Sequence, residues 1–392
     1  MSAAKKEYSP QEKAMMFNTS TRQNYQMLPS VTTNGGATTM QYHFPKSRLL
    51  SKVYVHIQGE VTVKHDSKTS IEVGALTPYK LIRRISMDLN NGFSPYVVSG
   101  EELALLNCID KNGEKMLKKS NYKNVVEGTY PVSAEGTKTV VDYVLELPIT
   151  LNEMSPTGII LLQNDQTNVT LNIDIANGLD IFNDVDTTGY GVEIGKVVGE
   201  VCLETFSIPA NEYAFPDLSV LKLVNGRTDS MPSVGQQIVK LQTGTIYRKL
   251  ILQIVDEDGK AVEDADLTNI ELVFNQADVN YSIAPSMIRA INTSQLGFEL
   301  PKGVYIFDFS NGGNLPNYGN SRDFIDTEKL TEFWVRFSSN KRGKVIRIIA
   351  VVDKKESAKI LIGKDTRRSS YMFEYTLVGG LVASGADAYL LH

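Results

Sequence analysis

Four histidines, two cysteines and two short acidic turns are the groups in this 392-residue chain whose types could do chemistry. The histidines are His43, His56, His65 and His392. None has a second His or Cys at zinc-ligand spacing, and His56 falls at an outward position of an alternating strand, so structural or surface roles are expected for all four. Cys108 lies in an apolar helical stretch and Cys202 in a strand. That excludes a disulfide framework, leaves at most one bridge, and fits folding in a reducing compartment. Asp256-Glu257-Asp258-Gly259-Lys260 and Asn183-Asp184-Val185-Asp186 are acidic turns of a kind that can hold calcium. Neither has the full ligand ladder or the closing bidentate glutamate, and the turn-forming habit of Asp and Asn accounts for both.

Nucleophile and phosphate templates fail in the same way. No G-x-S-x-G elbow occurs. In Gly189-Tyr190-Gly191-Val192-Glu193-Ile194-Gly195 the third glycine comes one residue too late for a dinucleotide fingerprint, and Gly363-Lys364-Asp365-Thr366 has Ala358 where a phosphate-cradling loop needs its first glycine. The single tryptophan, Trp334, falls in what reads as a core strand, which leaves a sugar cleft short of aromatic platforms. The expectation is therefore a chain with no catalytic, cofactor-binding or metal-binding residues, no cofactor, and no enzymatic activity.

Composition agrees with a globular scaffold. Apolar residues make up 42% and charged residues 22%, close to ordinary soluble proteins. The net charge of −5 disfavours wholesale nucleic-acid binding. A basic run from Lys341 to Arg368 reads as a solvated strand face. No apolar run is long enough to span a membrane, and Met1 to Pro10 has no apolar segment after its lysines, so folding in a cytoplasm is expected.

The elements that would position any site are mostly strands. From Val53 to Val63 the odd positions are apolar and the even ones largely polar, and the alternation returns over Val141–Leu151 and Val169–Ile175. Further strands are expected at 197–206, 236–243, 250–255, 270–274, 304–309, 333–337 and 345–352. Ser9-Pro10-Gln11-Glu12 and Ser99 with Glu102 are capping boxes that start short helices. A third helix is expected over Ser286–Thr293. Two long connections, Asp110–Lys138 and Ser310–Asp326, suit contact surfaces.

The order of these elements repeats. Leu49–Lys64, a Leu76-Thr77 turn, Leu81–Leu89 and a helix over Ser99–Ile109 are followed, about 190 residues on, by Leu250–Val255, Leu267-Thr268, Ile270–Phe274 and the helix over Ser286–Thr293. Periodicity lapses between Pro209 and Val234. The expected organisation is an arm at 1–30, a first unit at 31–210, a junction at 211–233 and a second unit with a C-terminal tail at 234–392.

Several segments carry a resemblance. Pro301-Lys302-Gly303-Val304-Tyr305 leading into a strand, Leu76–Asp110 with its Leu81–Ile85 strand, Asp88–Gly92 turn and Ser99-Gly100 helix start, Leu145–Asn177 with Leu147–Gly158 between strands, and the N-terminal Ser9-Pro10-Gln11-Glu12 helix are similar to tectivirus-type double jelly-roll major capsid proteins, distant relatives of adenovirus hexon. The resemblance covers nearly the whole chain and departs from the family in the two long loops and in Gly379–His392. It implies an all-β fold of two tandem eight-stranded jelly rolls with an N-terminal helix and small flanking helices. It implies a structural protein of a bacteriophage virion, whose pseudo-hexagonal homotrimers tile an icosahedral shell around an internal membrane and a double-stranded DNA genome. Its partners would be neighbouring trimers, vertex or penton proteins and minor capsid proteins, with the N-terminal helix facing the membrane or a neighbour and no specific nucleic-acid contact. The competing expectation is a tandem β-sandwich that binds or releases glycans.

Overall fold

The computed structural model describes residues 8–90, 92–110, 129–151, 156–163, 167–216, 218, 220–310, 324–354, 359–363 and 387–391. The first half runs α1 (Pro10–Ser20), β1 (Gln23–Met27), β2 (Val31–Asn34), β3 (Thr39–His43), β4 (Leu49–Lys64), β5 (Ser70–Glu72), β6 (Ile82–Leu89), β7 (Phe93–Val98) and α2 (Gly100–Asp110). It continues through β8 (Thr129–Pro131), β9 (Thr137–Pro148), β10 (Ile160–Leu161), β11 (Val169–Ile175) and β12 (Gly191–Phe206). The second half has β13 (Val220–Met231), β14 (Gly235–Leu241), β15 (Ile246–Asp256), β16 (Ile270–Phe274), β17 (Asp278–Ile283) and α3 (Pro285–Leu296). It ends with β18 (Val304–Asp308), β19 (Ile325–Asp326), β20 (Phe333–Ser339), β21 (Gly343–Lys354), β22 (Lys359–Gly363) and β23 (Asp387–Leu391).

Each half folds into two facing sheets with the same strand order. In the first unit β1 and β2 flank β12, which pairs with β4, which pairs with β9; the opposite sheet runs β7-β6-β11-β3. In the second unit β13-β21-β15-β18 faces β14-β20-β16-β17. With β1 and β2 counted as one interrupted strand along the same edge of β12, each unit has eight strands paired non-sequentially across two sheets, which makes a jelly roll. The predicted period-2 rows are the reason the sheets face each other: Val53, Val55, Ile57, Val61 and Val63 are at most 1% exposed, while Tyr54, His56, Gln58, Glu60 and Thr62 stay half-buried on the outer face. Each such aliphatic contributes roughly 1.5–3 kcal/mol of burial free energy. Both capping boxes form, Ser9 with Glu12 and Ser99 with Glu102.

Three boundaries differ from the sequence expectation. The 1–30 arm already contains β1, which hydrogen-bonds along its whole length to β12. The 211–233 junction contains β13, paired residue for residue with β21, so the second unit begins there and not at 234. Lysine at an inward position hides this strand, because Val220, Lys222 and Val224 form its buried row while Leu221 and Leu223 are only half-buried. The jelly-roll strands end with β21, and β22 and β23 form a separate two-stranded parallel sheet. The side chains of Arg347 and beyond, most of both long connections, and His392 lie outside the described residues.

Candidate functional site: the seam between the units

The two units are joined by one edge. Tyr96 and Val97 of β7 pair in parallel with Val224 and Asn225 of β13, which makes the inner sheet of the first unit continuous with a sheet of the second. The largest core crosses the joint, taking in Val224, Ile251, Val304 and Ile306 together with Ile85, Tyr96 and Leu103. Helix α2 leaves the end of β7 and lies along the seam, buried from Glu102 through Ile109.

Polar groups line this joint, with Glu102, Lys222 and Lys249 buried in it. The Glu102 carboxylate abuts Gly226 so closely that a Cβ there would sit 1.9 Å from Oε2, which is why β13 carries glycine at its crossing with the helix. Gln253 donates to Glu101 Oε1 at 2.9 Å, Lys249 is ion-paired to Asp110, and Lys222 Nζ reaches the Thr150 carbonyl oxygen at 3.5 Å. Burial pushes the Glu102 carboxyl up to about 7 and pulls the Lys222 ammonium down to about 8, the latter opposed by the Asp110 charge. Burial also raises Asp110, but the charges of Lys249 and Lys222 outweigh it and hold that carboxyl below its usual range. Removing one partner of such a pair leaves the other charge buried and uncompensated, which is the strongly destabilising case.

The same helix makes a clamp that recurs in the second unit. Asn107 Nδ2 donates to the Glu146 carbonyl at 2.7 Å while the Glu146 N–H donates to Asn107 Oδ1 at 2.8 Å. Asn292 of α3 does the same to Ile306, at 2.9 and 3.0 Å. Each carboxamide thus completes the outer edge of a sheet as a further strand would. The sequence reading missed both asparagines, although a polar residue at the centre of an apolar helix was the available signal.

The groups singled out in the sequence are scattered. His56 lies on the outer face of β4 with Nδ1 2.9 Å from Glu200 and Nε2 2.8 Å from Asp142. Burial lowers its pKa, but the two hydrogen bonds and the two carboxylate charges more than offset that and the net shift is upward. His65 Nδ1 accepts from the N–H groups of Ser67 and Lys68, and His43 is exposed beside Thr170. Cys108 is buried, Cys202 half-buried, and both are free thiols. Trp334 does sit in a strand, but on its outer face with Lys240 5.7 Å over the ring.

The two acidic turns meet. Gly259 packs on the Asn183 backbone beside a polar cleft lined by Ser70, Asp184, Asp186, Tyr190 and Lys260. Lys80 Nζ lies 2.8 Å from Asn183 Oδ1 and 3.0 Å from Asp184 Oδ2, so an ammonium occupies the acidic turn, and Asp256 Oδ1 accepts from the N–H groups of Asp258 and Lys260. Among the described residues no group of three or more metal-ligating side chains converges.

Several viral coat proteins of solved structure share this architecture. The STIV MCP superposes with a TM-score of 0.62 at 15% identity, covering 85% of this chain and 97% of that one. A chain of the PBCV-1 virus capsid gives 0.60 at 8% identity, covering 90% and 96%. The fold is the double jelly roll of viral major capsid proteins. The double jelly roll of the major capsid protein of bacteriophage PM2 is also similar, with a TM-score of 0.51 at 9% identity over 86% of this chain and 98% of that one.

A different likeness is confined to the C-terminal part. Residues 332–392 match the family model of the phosphoglucomutase/phosphomannomutase alpha/beta/alpha domain I. The phosphoglucosamine mutase of Lachnospira eligens is 86% identical over 35 residues, 9% of this chain and 8% of that protein; the one from Lachnoclostridium phytofermentans is 77% identical over 39 residues, 10% and 9%. The chain therefore spans less than a tenth of the length of the curated relatives it matches. Within the matched segment β20 and β21 are antiparallel strands of the double jelly roll, whereas β22 and β23 pair in parallel with 23 residues between them, room for the crossover that parallel strands require.

Proposed function

We propose that this chain is a structural major capsid protein and not an enzyme, three copies of which form a pseudo-hexagonal capsomer in an icosahedral shell. The observation that carries the reading is the pair of similar sandwiches joined at one edge, with polar groups placed along that joint. The likeness to solved viral coats along most of the chain supports it. The shell would enclose an internal membrane and a double-stranded DNA genome, with neighbouring trimers, vertex or penton proteins and minor capsid proteins as partners and no specific contact to nucleic acid. Helix α1 turns Ala14 and Phe17 onto its own unit, Phe17 against Phe206 at 5.4 Å between ring centroids, and leaves Met15 71% exposed. One outward methionine supports peripheral contact with a membrane or a neighbouring trimer, not insertion. The coat protein would fold in the host cytoplasm and reside in the virion shell.

Light scattering on the purified protein tests the reading. Three times the 43.4 kDa chain mass is expected. A strict monomer at micromolar concentration, or particles whose strands lie flat in the shell, would overturn it.

A further inference from the structure

The seam inside the chain has a counterpart with nothing described across it. The edge strand β7 and the helix that follows it, α2, are covered by β13 and β15 of the second unit. The second unit carries the same pair, β17 and α3, at the same place in its own sheet order. The clamp asparagines 107 and 292 set the correspondence between the helices at 185 residues. On that offset Glu102, which abuts Gly226 across the seam, corresponds to Met287.

The two helices differ in just the way a missing cover would produce. Helix α2 is buried from Glu102 through Ile109, whereas α3 buries Pro285, Ile288 and Asn292 and leaves Met287 56% exposed. Among the described residues β17 bonds only to β16, and its Val279 is 41% exposed. A long open strand edge of this kind invites pairing with another chain.

The complementary edge is on the first unit. There β1 and β2 stand beside β12 as β13 stands beside β21, and β13 is the strand whose outer edge receives β7. Among the described residues β1 and β2 pair with β12 alone, and β1 presents Tyr25 57% and Met27 60% exposed. One open edge thus offers Met287 and Val279, and the other Tyr25 and Met27.

We propose that β17 and α3 of one copy receive the β1–β2 edge of a second copy of this chain, in the parallel sense of the β7–β13 joint. The inference rests on the capsid reading and names the contact that builds the capsomer. The contact is heterologous, so it must close into a ring or run on as a filament. Three copies close it by alternating internal and external seams, every external one repeating the internal arrangement.

The test pairs a charge substitution with a cross-link in the full chain. In a Cys202→Ser background, Asn280→Cys on β17 and Gln26→Cys on β1 are placed in the same molecule and treated with a short bismaleimide. A ladder ending at three chains is expected, with either cysteine alone giving none. Separately, Met287→Asp should weaken trimer association at least tenfold in a dilution series while leaving the far-UV circular dichroism unchanged, because Met287 is already exposed in the single chain. A stable trimer that fails to cross-link, or that tolerates Met287→Asp, overturns this contact and leaves the capsid reading standing. A wild-type chain that is monomeric overturns both.

Discussion

Replacing Asn107 by alanine should be among the most damaging single changes to the first unit. The carboxamide is 4% exposed and makes two reciprocal hydrogen bonds, at 2.7 and 2.8 Å, to the carbonyl and N–H of Glu146. Glu146 pairs with Tyr54 on its other side, so the clamp satisfies the edge of β9 that faces the helix. Truncation leaves one buried donor and one buried acceptor unpaired, each costing about 1–3 kcal/mol, for a total of about 2–6 kcal/mol. Aspartate at 107 does no better, because one oxygen still accepts from the N–H while the other faces the Glu146 carbonyl without a proton to offer. Urea unfolding followed by circular dichroism at fixed protein concentration reads the effect. With a slope of roughly 3 kcal/mol per molar urea, the midpoint should fall by about 1 M. Asn292→Ala should produce a comparable loss in the second unit, since its bonds to Ile306 have the same form. A shift below about 0.2 M for both variants would refute the argument that these amides act as substitute strands.

Two more outcomes follow from the seam and the tail. Burial raises the Glu102 carboxyl to about 7, so the folded state binds a proton that the unfolded chain has released above its ordinary carboxylate range; stability contributed by that proton is present at low pH and lost between about 4.5 and 7. Glu102→Gln should therefore gain stability relative to wild type at pH 8 and not at pH 4, measured as thermal midpoints, and equal shifts at both pH values would contradict the assignment. Ending the chain after Lys354 should leave melting and trimer mass unchanged, because the jelly-roll strands are complete at β21 and, among the described residues, β22 pairs only with β23; loss of soluble trimer would show that the tail is part of the second unit.

The strands that alternate cleanly were readable from residue types alone. Val53 to Val63 places one apolar row inward, and the capping boxes at Ser9 and Ser99 mark helix starts through local chemistry that needs no tertiary context. The unread strands fail for physical reasons. β1 and β2 are edge strands rich in Gln, Asn and Thr, with only one neighbour to pack against, so they have no need of an apolar row. β13 was hidden because Lys222 occupies an inward position, and what makes that tolerable is Asp110, which belongs to a helix of the other unit. Helix α2 and its Ser99–Glu102 cap were legible, but the polar work of Asn107 and Glu101 depends on partners 39 or more residues away. The Lys80 ammonium beside Asn183 and Asp184 was not legible, because Lys80 lies about a hundred positions before the other two in sequence and meets them only in the fold.

The composition of the seam bears on how one chain came to hold two similar units. A joint formed within a single domain would be expected to bury mostly apolar side chains, yet this one joins its sheets through only two residue pairs and encloses Glu101, Glu102, Asp110, Lys222, Lys249 and Gln253 around an apolar centre. That mixture of an apolar core and paired charges is the anatomy of an interface between proteins. The shared strand order and the recurrent asparagine clamp argue that each unit is a complete fold in itself. Two units of one plan meeting through such a joint are arranged as two subunits carried on one chain. In the proposed ring, Glu102 opposite Gly226 inside the chain and Met287 at the external edge would keep the two seams distinct, since a charged seam and an apolar seam do not substitute for each other.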